Sequence, residues 1–160
     1  MTDNDNHPSN ANAAKRLARL VAVQVLYQAS YEQEALAAIV KHSLDEADAV
    51  LNGEGGEGAI ITERPDAELL SRIVQGVTKD KEILEGLLAG ALDAKFSSAR
   101  MEVLLRSILL AGVYELHSHG EIASSIIISD YVDVARAFFQ AKEPGLVNAV
   151  LDKLAKTLRG

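Results

Sequence analysis

The chain has 160 residues, no cysteine, and 16 Lys plus Arg against 23 Asp plus Glu, a formal net charge of -7. These totals exclude disulfides, thiolate metal sites and a protein that coats nucleic acid over its whole surface, but they leave room for a local basic patch. Hydrophobic residues make up 48% of the chain and aromatics only 4%, so its core has to be Leu, Val, Ile and Ala, which suits packed helices better than a sheet sandwich.

Residues 1–12 are rich in Asn, Asp, Ser and Pro, offer no apolar anchor, and read as a disordered tail rather than a secretory signal. Asn12 is placed to cap a helix running to about Tyr31. A second helix is expected over Gln33–Leu51, with Leu36, Ile39, Val40, Leu44 and Ala47 at helical spacing. The stretch "NGEGGEG", residues 52–58, reads as a surface loop, because four glycines in seven residues cannot sustain a helix and no GK[ST] follows to make a phosphate loop.

"TERPDAELL" restarts helical order. Pro65 fits a first turn, Asp66 and Glu68 suit the positive end of the helix dipole, and Leu69, Leu70, Ile73, Val74 and Val77 form the apolar stripe. The segment Ile83–Leu92 repeats the pattern through Ile83, Leu84, Leu87, Leu88 and Ala91, with Gly86 and Gly90 allowing close approach of a neighbour. "DAKFSS", residues 93–98, is a break with two capping serines.

Three helices are expected after it. One runs from about Ala99 to His117, with Gly120 placed to stop it. Another runs from Ser124 to about Ala141 through Ile127, Ile128, Tyr131, Val134, Ala135 and Phe138. "IASSIIIS" is strand-like in composition, but the 3.6-residue stripe continues through it and favours helix. Pro144 opens the last helix, with Leu146, Val147, Val150, Leu151, Leu154 and Leu158. The expected architecture is all-α: six or seven helices in two small bundles packed together, over 13–93 and 94–160. The longest apolar run, "VLLRSILLAGVYEL", is broken by Arg106 and Glu115 and is no membrane span.

Catalytic chemistry has little foothold. "HSHGE" holds His117, His119 and Glu121, but at a helix end the two rings point apart, and they read as side chains near a negative helix terminus, with no metal and no cofactor expected. No recurring nucleophile or metalloprotease motif is present, so the chain reads as a non-enzyme. Asp45, Glu46 and Asp48 read as a solvated face.

The first helix carries more. Lys15, Arg16 and Arg19 fall within an arc of about 100°, and Tyr27 lies about 20° beyond Arg16, roughly 16 Å further along the axis. Leu17, Leu20, Val21 and Val25 occupy the other side and are expected to face the core. One helix thus offers cations for phosphates and an aromatic for a base, a pairing suited to single-stranded RNA. The alternative is that the cations are merely solvated and Tyr27 is core.

Four stretches in order resemble the NusB family: "KRLARLVAVQVLYQ", "RMEVLLRSILLAGVYEL", "IISDYVDVARAFF" and "GLVNAVLDKLAKTLR". The resemblance implies an all-helical cytoplasmic transcription antitermination factor. It would bind a boxA element of nascent, chiefly ribosomal, RNA together with the small-subunit ribosomal protein NusE, and act on the RNA polymerase elongation complex through other Nus factors. By position it implies RNA contacts from Lys15, Arg16, Arg19 and Tyr27, with Arg106 at an often basic position. Lys142 is a further candidate for a phosphate contact. Leu17 stands where some members have a third Arg, Leu110 replaces an Arg, Ser129 and Asp130 replace Asn and Glu, Ala149 replaces a Gly, and Leu146 replaces an aromatic. Asn148 matches the family's Val-Asn pair and is expected to brace backbone rather than touch RNA. Two alternatives remain open: an interaction module of this type without RNA binding, and the RNA-binding domain of a methyltransferase, disfavoured because a chain ending at Gly160 leaves no room for a methyl-donor fold.

Overall fold

The computed structural model describes residues 8–31, 36–51, 64–92 and 101–160. Among the described residues there are seven helices and no strand: α1 Pro8–Tyr31, α2 Leu36–Leu51, α3 Ala67–Lys79, α4 Lys81–Ala91, α5 Val103–Ser118, α6 Ser124–Phe138 and α7 Glu143–Arg159. No helix among them is long and apolar enough to cross a membrane. The chain divides into two compact units, Met1–Arg72 and Ile73–Gly160, with the division inside α3. The expected boundary at 93/94, the glycine-rich stretch and "DAKFSS" lie outside the described residues.

In the first unit α1 packs on α2. Helix α1 begins at Pro8 rather than at Asn12, because proline's missing N–H costs nothing in a first turn and Ala11, Ala13 and Ala14 are strong helix formers. Helix α3 is capped by Asp66, whose Oδ1 accepts the Leu69 N–H at 3.0 Å. Pro65 is buried and precedes the helix instead of sitting in its first turn. The Asp66 N–H in turn donates to Ala14 O at 3.0 Å, which ties the start of α3 to the head of α1.

In the second unit α5 is the central element, contacted by α4, α6 and α7. Every residue from Ser107 to Leu116 is buried, so this stretch of the helix has no solvent-facing side. The stripes expected on α3, α6 and α7 are buried at Ile73, Val74, Val77, Ile127, Tyr131, Val134, Ala135, Val147, Val150, Leu151 and Leu154. Ile83, 57% exposed, and Phe138 depart from this pattern and stand on the surface.

Close helix approach also occurs at other glycines than expected. Gly86 and Gly90 face open space. Instead, a Cβ on Gly76 of α3 would fall inside the Tyr114 ring of α5, and one on Gly112 of α5 would sit 2.8 Å from Leu151 Cδ1 of α7. Helix α5 ends at Ser118, and Gly120 is not in the left-handed conformation, so it does not act as a glycine cap.

Candidate nucleic-acid interface

Helix α1 buries a different face from the one the large apolar residues suggest. Ala18, Arg19, Ala22, Val23 and Val25 are buried, spanning about 160° of the helix surface. Leu17, Leu20 and Val21 are only half-buried, and of the residues expected to face the core only Val25 does so fully. The alanines explain the choice: small side chains let a neighbouring backbone come close, and the larger ones then flank the contact. Leu17, Val21 and Gln24 line a cavity of about 390 Å³ with Ser43, Glu46, Ala47 and Ala49 of α2 and with Pro65.

This face changes the standing of the expected cations. Lys15 and Arg16 are exposed, in the N-terminal half of α1 beside Ala14, which is tied to Asp66. Arg19 lies on the buried arc, 1% exposed, and its polar interactions are within the protein. A guanidinium held that way cannot reach an external phosphate without unfolding its surroundings, so the three-cation arc reduces to two at the surface. Tyr27 is half-buried and already engaged with another group.

The other two candidates belong to the second unit. Arg106 is half-buried, and its Nη2 donates to Glu85 Oε1, pairing α5 with α4. Lys142 is exposed, just before α7, and also has a partner within the protein. Asn148 is exposed, so the burial on which a backbone-bracing role would rest is absent.

The "HSHGE" stretch splits. His117 is exposed, with Nδ1 3.1 Å from Ser118 Oγ. His119 is wholly buried rather than lying at a solvated helix end: its Nδ1 is 3.0 Å from Glu115 Oε1, and its ring meets the Tyr114 ring edge-on at 5.1 Å. Glu115 is wholly buried too, and its Oε2 accepts the Tyr131 hydroxyl at 2.6 Å. Arg159 closes the same corner. Its Nε donates to Leu116 O at 3.0 Å, and its Nη2 to Glu115 O at 3.2 Å and His119 O at 2.8 Å. Its Nη1 donates to Ile122 O at 2.5 Å and to Ser124 Oγ at 3.2 Å. A fixed cation thus satisfies the carbonyls that end α5. This buried network is structural; helical i,i+4 spacing could have paired Glu115 with His119, but only the fold brings Tyr131 and Arg159 to them. Among the described residues no group of three metal-ligating side chains converges.

The described residues form a small all-helical fold in which two exposed cations, Lys15 and Arg16, stand side by side on α1, and similarity to known proteins makes the class narrower. The NusB family model matches residues 16–156, and the chain belongs to the NusB family. It is 39% identical over 145 residues to the transcription antitermination protein NusB of Granulibacter bethesdensis, covering 88% of this chain and 86% of that protein. It is 38% identical over 158 residues to NusB of Rhizobium etli, covering 99% and 96%. Among solved structures, T. maritima NusB superposes with a TM-score of 0.71 at 25% identity, over 88% of this chain and 89% of that one. A structure of the antitermination factors NusB and NusE with double-stranded RNA gives 0.73 at 21% identity, over 91% and 98%, a likeness of fold.

Proposed function

We propose that this protein is a transcription antitermination factor that binds boxA-type RNA jointly with the small-subunit ribosomal protein NusE and acts on the elongation complex in the cytoplasm. The observation that carries the reading is near full-length likeness to relatives named transcription antitermination proteins. A NusB structure of the same fold is recorded with NusE and RNA, which supports the choice of partners. The protein works by binding, without catalysis. On α1, Lys15 and Arg16 supply phosphate contacts and Tyr27 offers its aromatic ring for a base, while Lys142 adds a phosphate contact from the second unit. Arg19 serves this surface by fixing α1 from beneath. Arg106 contributes only to the extent that phosphate draws it from Glu85.

Three exposed cations neutralise few phosphates, so affinity of the isolated chain is low and salt-sensitive. NusE adds surface and holds the RNA in register. The test is a titration of boxA-type RNA with the chain alone, with NusE alone and with both. The reading predicts that the mixture binds at least tenfold tighter than either protein. Equal affinity of the mixture and of NusE alone would favour the second reading, an interaction module without RNA binding, to which the burial of Arg19 and the pairing of Arg106 lend weight.

A further inference from the structure

The fold returns a cation to the head of α1 that the linear sequence does not place there. Asp66 N–H bonds to Ala14 O at 3.0 Å, and Arg64 precedes Asp66 by two residues. Two residues span at most about 7 Å, which with the bond itself puts the Arg64 Cα within roughly 14 Å of the Ala14 Cα. Lys15 and Arg16 follow Ala14 directly. Pro65 between them is buried and Arg64 is exposed, so the segment is anchored by its proline and presents its arginine to solvent.

Among the described residues the ion-pair partner of Arg64 is Asp48 of α2, with Nε 2.9 Å from Oδ1 and the two side chains 53% and 43% exposed. A pair so exposed is weak and screened by salt. It engages the guanidinium through Nε, whereas the two terminal nitrogens form a fork that mates the oxygens of a phosphate.

We infer that Arg64 is the third phosphate-contacting cation of the α1 head, standing in for the buried Arg19, held by Asp48 in the free protein and passed to RNA on binding. The inference rests on the reading of that head as an RNA surface. Asp48 then competes with phosphate for Arg64: it keeps the arginine from loose anions and lowers affinity for RNA.

The test uses the full chain with NusE and boxA-type RNA, measured across a salt series. Asp48→Asn should raise affinity about two- to fivefold, the factor that corresponds to an exposed ion pair. Arg64→Gln added to Asp48→Asn should abolish that gain, lower affinity several-fold at low salt, and flatten the salt slope by about 0.7. Melting curves of each variant should coincide with that of the parent, because both positions are exposed or half-buried. If Arg64→Gln in the Asp48→Asn background leaves affinity and slope unchanged while Lys15→Gln and Arg16→Gln lower both, the inference is overturned and the α1 reading stands. If the lysine and first arginine also prove silent, the reading of the head fails and the inference falls with it.

Discussion

The Tyr131 hydroxyl donates to Glu115 Oε2 across 2.6 Å, between two side chains that solvent does not reach. Sixteen residues of sequence separate them, and the bond joins α6 to α5. Glu115 accepts here and meets His119 through its other oxygen, so the acid that interrupts the apolar run of α5 is a buried polar centre.

Removing one partner leaves a buried acceptor short of a bond. Tyr131→Phe should lower unfolding stability by about 1–3 kcal/mol, the cost of an unsatisfied buried group. Glu115→Gln should also destabilise, and the double variant should lose less than the sum, because the two residues share one interaction. Urea unfolding of the four proteins measures the coupling, and simple additivity would mean that the bond contributes nothing.

Arg159 serves as the cap of α5 although it lies at the end of α7. It donates to the carbonyls of Glu115, Leu116, His119 and Ile122. Hydrogen bonds from charged donors contribute more than neutral ones, about 1.5–3 kcal/mol each in favourable cases and less where solvent screens them. Arg159→Ala should therefore cost on the order of 2 kcal/mol or more. Arg159→Lys should recover only part, since an ammonium cannot span the same carbonyls. Hydrogen exchange read at the end of α5 should show the loss first.

Two glycines should respond with opposite sign. Gly76→Ala places a Cβ within the Tyr114 ring, and the needed shift of a buried aromatic should cost about 1–3 kcal/mol. Gly86→Ala meets nothing on the exposed face of α4, so it should stabilise by about 0.5–1 kcal/mol through helix propensity. Thermal melts decide both, and a stable Gly76→Ala protein would mean that the Tyr114 ring does not rest on Gly76.

The seven helices were legible because their apolar residues recur at helical spacing, and even "IASSIIIS" obeyed the stripe over its composition. The buried side of α1 was not. Leu17, Leu20 and Val21 suggested one face, but Ala18 and Ala22 allow the closer contact and carry Arg19 inward with them. Periodicity ranks faces by hydrophobicity, whereas packing selects them by shape. Nor could spacing reveal that Glu115 and His119 meet Tyr131, or that Asp66 brings Arg64 to Ala14, since both depend on contacts between distant elements. Lys15 and Arg16 were read as exposed cations, and the structure places them so.

The buried position of Arg19 separates its role from that of its neighbours. Arg19→Ala should lower stability by about 2 kcal/mol or more, since packing of its stem and its polar interactions are both lost. Lys15→Ala and Arg16→Ala, on an exposed surface, should stay within about 0.5 kcal/mol of the parent. Denaturant unfolding distinguishes them, and an unchanged Arg19→Ala protein would contradict the burial.

The measurement that bears most directly on the α1 surface is the salt dependence of boxA-type RNA binding by the complex with NusE, for the parent and for the Lys15→Gln/Arg16→Gln double variant. Two lost phosphate contacts should flatten the slope of log affinity against log salt by about 1.4 and weaken binding most at low salt, with the melting temperature unchanged. An unaltered slope and affinity in a folded double variant would show that the head of α1 does not touch RNA.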